Sequence, residues 1–365
     1  MNVSPWTAPW PPRHASAHTS IRPARAPQPG FQPERLLVID PLSRRFGDYR
    51  ISELPRLLGP GDVLVVNDAA TLPASLQVDP ELELRLVSAE HDGTFRAIAF
   101  GAGDFRQPTE SRPAPRALRL GERLQFRADL AAIVVEVDVS DARLVRLRFE
   151  TSGAQFLRAL YAHAKPIQYS YTAEALQLWD VQNRYASRPW AFELPSAGRP
   201  LTFETLFEVE KRGATLTHIT HAASISSTGS EQLDARLPLA ERYEISEQAA
   251  RAVRRARDDR GRVIAVGTSV VRALEAHADA TGAVRAGRGE TELRLSSAYE
   301  PRVVDGLLTG LHEPGTSHFA LLEAFAPRSL LQSAVEHAAR TGYLQHEFGD
   351  SCLVLAGSLL ERLAA

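Results

Sequence analysis

Two short segments carry residue types that could do chemistry. In the first, Gly267-Thr268-Ser269 follows the apolar run Arg262-Val263-Ile264-Ala265-Val266 and precedes a helical stretch from Val270 to His277. A glycine there permits a tight strand-to-helix turn, and the free amides of a helix start bind anions. Thr268 or Ser269 would serve equally well as a plain N-cap, so cap and ligand contact both stay open. The tripeptide is no phosphate-binding P-loop, because no lysine follows, and it lacks G-x-G-x-x-G spacing. Nor is it a nucleophile elbow, which needs G-x-S-x-G. In the second segment, Val303-Val304-Asp305-Gly306-Leu307-Leu308-Thr309-Gly310-Leu311-His312 runs a strand into a histidine. Side chains at the carboxyl end of a parallel strand face the usual ligand crevice. There His312 would act as a general base or hold a substrate, or else stand as a solvated loop histidine. Asp305 reads as a ligand contact or a turn cap, and Ser317 as a cap or contact where the next helix starts. If both turns bind ligand, they open on one crevice; if both are caps, they are unrelated.

Two further groups are weaker. His218 and His221 lie three apart in Thr217-His218-Ile219-Thr220-His221. On a strand they face opposite sides, so they do not share a metal, and no third ligand has suitable spacing. We expect no metal site. Glu241, Tyr243 and Glu244 form an acidic–aromatic group that suits a cation or a solvated face.

The elements that must position these residues follow from apolar patterning. Arg35 to Asp40 and Val63 to Val66 are short apolar runs, the second ending at Asn67-Asp68. Such runs suit strands buried on both faces. Ser52 to Leu58 reads as a short helix or turn, and Gly59-Pro60-Gly61-Asp62 as a turn. Between Leu76 and about Glu150 strand-like pieces recur at 81–87, 94–100, 123–126, 132–139 and 144–149 with no helix between them. That texture predicts a small antiparallel barrel or sandwich. From Gly153 onward helix and strand alternate, including helices at 318–325 and 328–340 and a last strand at 351–355. Alternation of this kind predicts an α/β fold. The expected architecture is a helix-covered, mainly parallel sheet, a three-layer sandwich built from 34–75 and 151–365. An antiparallel β-barrel domain is inserted at 76–150. Residues 1–33 hold eight prolines and no acidic residue, which predicts a disordered tail.

Composition sets limits. The 365 residues include 42 basic and 44 acidic ones, for a net charge of −2. A polycation that coats nucleic acid is excluded, though a local basic patch is not. Lys165 and Lys211 are the only lysines, so arginine carries the positive charge. The single cysteine, Cys352, excludes an intrachain disulfide and a cysteine-rich zinc site, and its apolar neighbours place it in a core. No apolar run reaches the ~18–20 residues of a membrane helix, and no apolar signal segment follows the first arginines. A cytoplasmic protein with no membrane span is expected.

Taken in order, six stretches between about Arg35 and Leu355 resemble the S-adenosylmethionine:tRNA ribosyltransferase-isomerase family of queuosine biosynthesis. Gly61-Asp62-Val63-Leu64-Val65-Val66-Asn67-Asp68 with Leu72-Pro73-Ala74 resembles G-D-L-L-V-F-N-[ND]-T-R-V-I-P-A-R. Gln182, Tyr185 and Pro195-Ser196-Ala197-Gly198 resemble Y-Q-T-V-Y and A-P-T-A-G-L-H-F. Glu241-Arg242-Tyr243 resembles S-E-Y. Val263 to Glu275 resembles V-I-A-V-G-T-T-S-V-R-x-L-E, and Val303 to Phe325 resembles K-V-V-D-x-L-x-T-N-F-H-x-P-x-S-T with its helix. Phe348-Gly349-Asp350 resembles Y-G-D. The chain also departs from the pattern. Ala70 and Ser75 stand where the family has arginines, and Pro200 stands where it has a histidine. In the 220–226 loop His221 matches the family histidine, but the glycines are gone.

The resemblance implies transfer of the ribosyl part of S-adenosylmethionine to a 7-aminomethyl-7-deazaguanine base in tRNA. The product is epoxyqueuosine, and adenine and methionine leave. S-adenosylmethionine is then a substrate, and no cofactor is required. A proton acceptor must lie near the carbon beside the sulfonium. The resemblance offers His221, Glu241 and His312 for that work, with roles unassigned. It implies substrate contacts from Asn67, Asp68, Ser196, Gly198, Tyr243, Gly267, Thr268, Ser269, Arg272, Asp305 and Ser317. The missing arginines weaken the case for tRNA. A relative using the same chemistry on another acceptor, or a non-catalytic nucleotide- or RNA-binding protein, are the alternatives.

Overall fold

The computed structural model describes residues 20–27 and 34–355. A nine-stranded sheet runs in the order Gly287–Thr291, Glu241–Ile245, Thr215–His221, Val63–Asn67, Val263–Val266, Gly306–Gly310, Ser351–Leu355, Arg35–Asp40, Arg45–Arg50. Each apolar run sends alternate side chains to opposite faces. Val63, Val65, Val263 and Ala265 meet the helices Glu247–Asp258, Thr268–His277 and Arg328–Thr341 in one core. Leu64, Val66, Ile264 and Val266 meet Leu54, Leu57, Leu206 and Val209 from the helices Leu54–Leu57 and Phe203–Lys211 in another. Helices thus cover both faces, and the sandwich has three layers. Cys352 lies in the first of these cores.

The expected mainly parallel sheet is mixed. Among the described residues four pairings are parallel and four antiparallel. The parallel ones include the three that join the four central strands. A continuous apolar run reports burial on both faces and says nothing about strand direction.

A second, six-stranded sheet is wholly antiparallel and follows the order Ser75–Asp79, Leu82–Ala89, Phe95–Phe100, Leu144–Phe149, Leu130–Val137, Arg123–Arg127. Its two edge strands approach one another, so the sheet is nearly closed into a barrel. Its core does not stop at residue 150. The helix Gly153–His163 inserts Phe156, Ala159 and Leu160, and the Phe156 ring packs at a tilt against those of Phe95 and Phe149. Phe192, Ile225, Leu233 and Leu239 complete it.

The expectation of a disordered tail over 1–33 is overturned for residues 20–27; the rest of that tail lies outside the described residues. Arg22–Pro23 pairs with Leu344–Gln345, and Ile21 and Ala24 are 1% and 3% exposed. Proline-rich composition reports the absence of helix, and two well-placed aliphatic side chains are enough to dock such a segment. Among the described residues no helix is long and apolar enough to cross a membrane.

Candidate functional site

The central strands Thr215–His221, Val63–Asn67, Val263–Val266 and Gly306–Gly310 are neighbours and parallel. Their carboxyl ends therefore place His221, Asn67, Gly267 and His312 along one edge of the sheet. Glu241–Ile245 runs antiparallel to the strand ending at His221, so its first residue, Glu241, reaches the same edge. The helix Thr268–His277 starts there on Gly267, whose φ of +94° requires glycine. Gly267 has no side chain to cap with, so the first-turn amides stand uncapped at the edge. Neither Thr268 nor Ser269 is the N-cap.

Behind the edge lies a sealed triad. Glu241 is 3% exposed; it accepts a hydrogen bond from the Ser224 amide at 2.8 Å and pairs with Arg272 through its other oxygen. His221 is 0% exposed, and its Nε2 lies 3.4 Å from Glu241 without hydrogen-bond geometry. Both His221 nitrogens and Nε of Arg272 are buried with no hydrogen-bond partner. Such orphans are rare in interiors and call for an acceptor or donor from outside the protein. Burial pushes the Glu241 carboxyl up, but Arg272 foremost, helped by His221 and the Ser224 amide, outweighs it and holds the group below its ordinary value. Burial lowers the His221 imidazole to about 4, with Arg272 adding to the effect and Glu241 opposing it.

In front of the triad stand two stacked imidazoles. His312 and His318 have ring centroids 4.8 Å apart and planes within 17°. Nε2 of His312 lies 3.0 Å from the Thr309 hydroxyl. Burial holds His312 well below its ordinary value, and His318 and His346 lower it further. His318 is lowered to about 4, mainly by burial and then by Arg272, with Glu241 opposing. His346 in turn stacks on Tyr171 at 4.0 Å. The crevice is thus lined at neutral pH by uncharged imidazoles.

A stability consequence follows for His221. Its folded-state value lies below the 6.5 of a free imidazole, so between about 6.5 and 4 the unfolded chain binds a proton that the folded one does not. Stability should be full above pH 6.5 and fall as the pH drops toward 4. Urea denaturation across this range should show the loss, to which His312 and His318 add with the same sign, and H221L should make it shallower; an unchanged slope in H221L would refute the assignment.

The queuosine biosynthesis protein family matches residues 19–354. The chain belongs to that family. The S-adenosylmethionine:tRNA ribosyltransferase-isomerase of Parvibaculum lavamentivorans is 31% identical over 93% of this chain and 96% of its own. Proteins of the same name from Acidithiobacillus ferrooxidans and Rubrobacter xylanophilus are each 34% identical, over 91% and 92% of this chain and 94% of their own. An S-adenosylmethionine tRNA ribosyltransferase structure from Thermotoga maritima is similar over 91% of this chain and 96% of that one, at 22% identity and a TM-score of 0.49.

In this queuosine biosynthesis family member the remaining expected contacts divide. Ser196 and Gly198 sit in a turn whose Ala197 packs against Gly267, beside the open helix start. Asn67 and Asp68 reach the edge, but their side chains serve the protein. The Asn67 amide donates to the His221 carbonyl and accepts from the His221 and Ala69 amides. Asp68 accepts from the hydroxyls of Thr220 and Ser187. Both position the strand end that carries His221. Tyr243 faces the core, its hydroxyl 3.2 Å from Nδ1 of His277 at the far end of the Thr268–His277 helix. Asp305 lies on the opposite edge, where it accepts from the Val263 amide at the strand's start. The strand begins at Gly306, which puts Asp305 at its amino end, away from the crevice. Ser317 is exposed and does not cap; Thr316 does, accepting from the Phe319 amide. Among the described residues no group of three or more metal-ligating side chains is poised for a metal.

Sequence reasoning missed His318, His346 and Tyr171. His312 and His318 flank a Glu-Pro-Gly-Thr-Ser loop, which was a signal that the loop folds back. His346 and Tyr171 come from distant loops and gave none.

Proposed function

We propose that this protein is an S-adenosylmethionine:tRNA ribosyltransferase-isomerase, which moves and isomerises the ribosyl group onto 7-aminomethyl-7-deazaguanine in tRNA. The observation that carries the reading is the pairing of an uncapped helix start with a neutral imidazole on one sheet edge. The amides of Thr268 and Ser269 suit the methionine carboxylate, and their hydroxyls suit the ribose. His312, neutral at neutral pH, takes the proton from the carbon beside the sulfonium, and the imidazolium returns it to the departing adenine. Uncharged imidazoles spare the cationic substrate the repulsion that histidinium would bring. Arg272 and His221, with their unmet hydrogen bonds, lie one layer deeper and complete the polar wall. Acting on tRNA, the enzyme works in the cytoplasm.

The test is incubation with labelled S-adenosylmethionine and tRNA bearing the aminomethyl base. Adenine release that depends on that tRNA is expected. Release with a small-molecule acceptor and not with tRNA would replace the acceptor. No release, with calorimetry showing no heat on adding millimolar S-adenosylmethionine to folded protein, would overturn the reading.

A further inference from the structure

Arg242 is a half-buried guanidinium that makes no hydrogen bond or ion pair among the described residues, and its Nε is buried without a partner. Glu290 and Glu90 favour its charge from a distance, but both are in contact with other partners. Glu290, directly across the strand pair, takes His91 at 3.2 Å, and Glu90 takes Arg96 at 3.2 Å. Glu244 is held between Arg188 at 3.1 Å and Arg288 at 2.8 Å. What Arg242 does meet is the ring of Trp190, 4.6 Å away, and Arg188 lies 5.3 Å from the same ring. Trp190 is itself half-exposed. Half-burying a cation with no carboxylate in contact is costly, and a surface that does so offers an unfilled place for an anion.

The place borders the crevice. Arg242 directly follows Glu241 and projects to the other face of the same strand. The guanidinium of Arg188 lies 3.4 Å from the hydroxyl of Thr220, which directly precedes His221. An indole between two guanidiniums, one of them unpaired, fits a ligand that is both flat and anionic. A base that undergoes chemistry must leave its stack, and its loop neighbours then need a platform.

We propose that Arg188, Trp190 and Arg242 form the platform that holds the unpaired RNA loop flanking the acceptor base, by base stacking and phosphate contact. The proposal rests on the tRNA reading above. Its test is separable, because RNA binding is measured without turnover. Fluorescence anisotropy with a labelled RNA hairpin bearing an unpaired loop should show R242E and W190A binding about tenfold more weakly than the parent, with W190F retaining most of the affinity. R242E should also reduce the slope of log affinity against log salt by about 0.7. The KM for tRNA should rise by a similar factor, and calorimetric affinity for S-adenosylmethionine should stay the same. Hairpin binding equal to the parent in both R242E and W190A would overturn the proposal. So would weaker binding accompanied by lost S-adenosylmethionine affinity and a lowered melting temperature, which would make the patch a packing feature. A parent protein that releases no adenine with tRNA would overturn the functional reading instead, and the hairpin titration would still decide the platform.

Discussion

Replacing His312 with alanine should lower turnover by about 10²–10⁴-fold, the usual worth of a positioned acid–base group, while leaving the fold intact. The two halves of this expectation have separate grounds. Among the described residues the ring's one hydrogen-bond partner is the Thr309 hydroxyl. Its removal strands no charge, and the Thr309 hydroxyl can turn to water, so the stability cost should be about 1 kcal/mol. His312→Gln keeps a side chain that can reach Thr309 but cannot carry a proton. It should be as inactive as the alanine variant and melt close to the parent. Rapid-quench measurement of adenine release together with thermal melts separates the outcomes. Turnover at the parental rate in His312→Ala would move the proton-accepting role elsewhere. An inactive protein that also melts far below the parent would make His312 structural.

Glu241→Ala should be the most destabilising single change at the site, by about 3–5 kcal/mol, because it leaves a buried guanidinium without its counter-ion. Three groups depend on the carboxylate: the Arg272 guanidinium, the Ser224 amide and the charge environment of His221. Ser224 also donates from its hydroxyl to the Val87 carbonyl. The same contact therefore ties the sheet edge to the barrel. Glu241→Gln retains the acceptor for Ser224 but removes the charge, so its cost should fall between the parent and the alanine variant. The pairing of Glu241→Leu with Arg272→Met removes both charges and should recover much of the loss, with a coupling energy of about 1–3 kcal/mol. Urea unfolding of the parent, Glu241→Leu, Arg272→Met and the double variant measures this. Additive losses in the double variant would show that the ion pair contributes nothing beyond its separate parts.

Some of this was readable along the chain, and particular residues show why. Val63 to Val66 and Val263 to Val266 announced strands buried on both faces, because side chains of one apolar type at consecutive positions leave no solvent face. Gly267 announced its turn, since a φ of +94° is open to few other residues. The barrel strands showed themselves by alternation at short spacing, as in Leu82-Glu83-Leu84-Arg85-Leu86. His312 could be placed at a strand end from its local setting alone. These are properties of short segments, governed by backbone sterics and side-chain period.

Other properties depended on what the fold brings side by side. The arginines absent at positions 70 and 75 counted against RNA when read in line. In the sheet, Ala70 pairs with Pro189, next to Arg188, so one guanidinium arrives from the adjoining strand, whereas Arg85, opposite Ser75, is buried against Glu83 and replaces nothing. Asn67 and Asp68 looked like ligand contacts until the neighbouring strand claimed their polar atoms. Asp305 was implied as a ligand contact and lies at the other edge, because the five-residue strand Gly306–Gly310 separates it from the carboxyl ends that form the crevice. Identity, spacing and period belong to the covalent chain, so strand existence, turn positions and family could be read from it. Strand direction, burial of a charge and the partner of an arginine are set by contacts between residues far apart in sequence, and only the folded sheet supplies them.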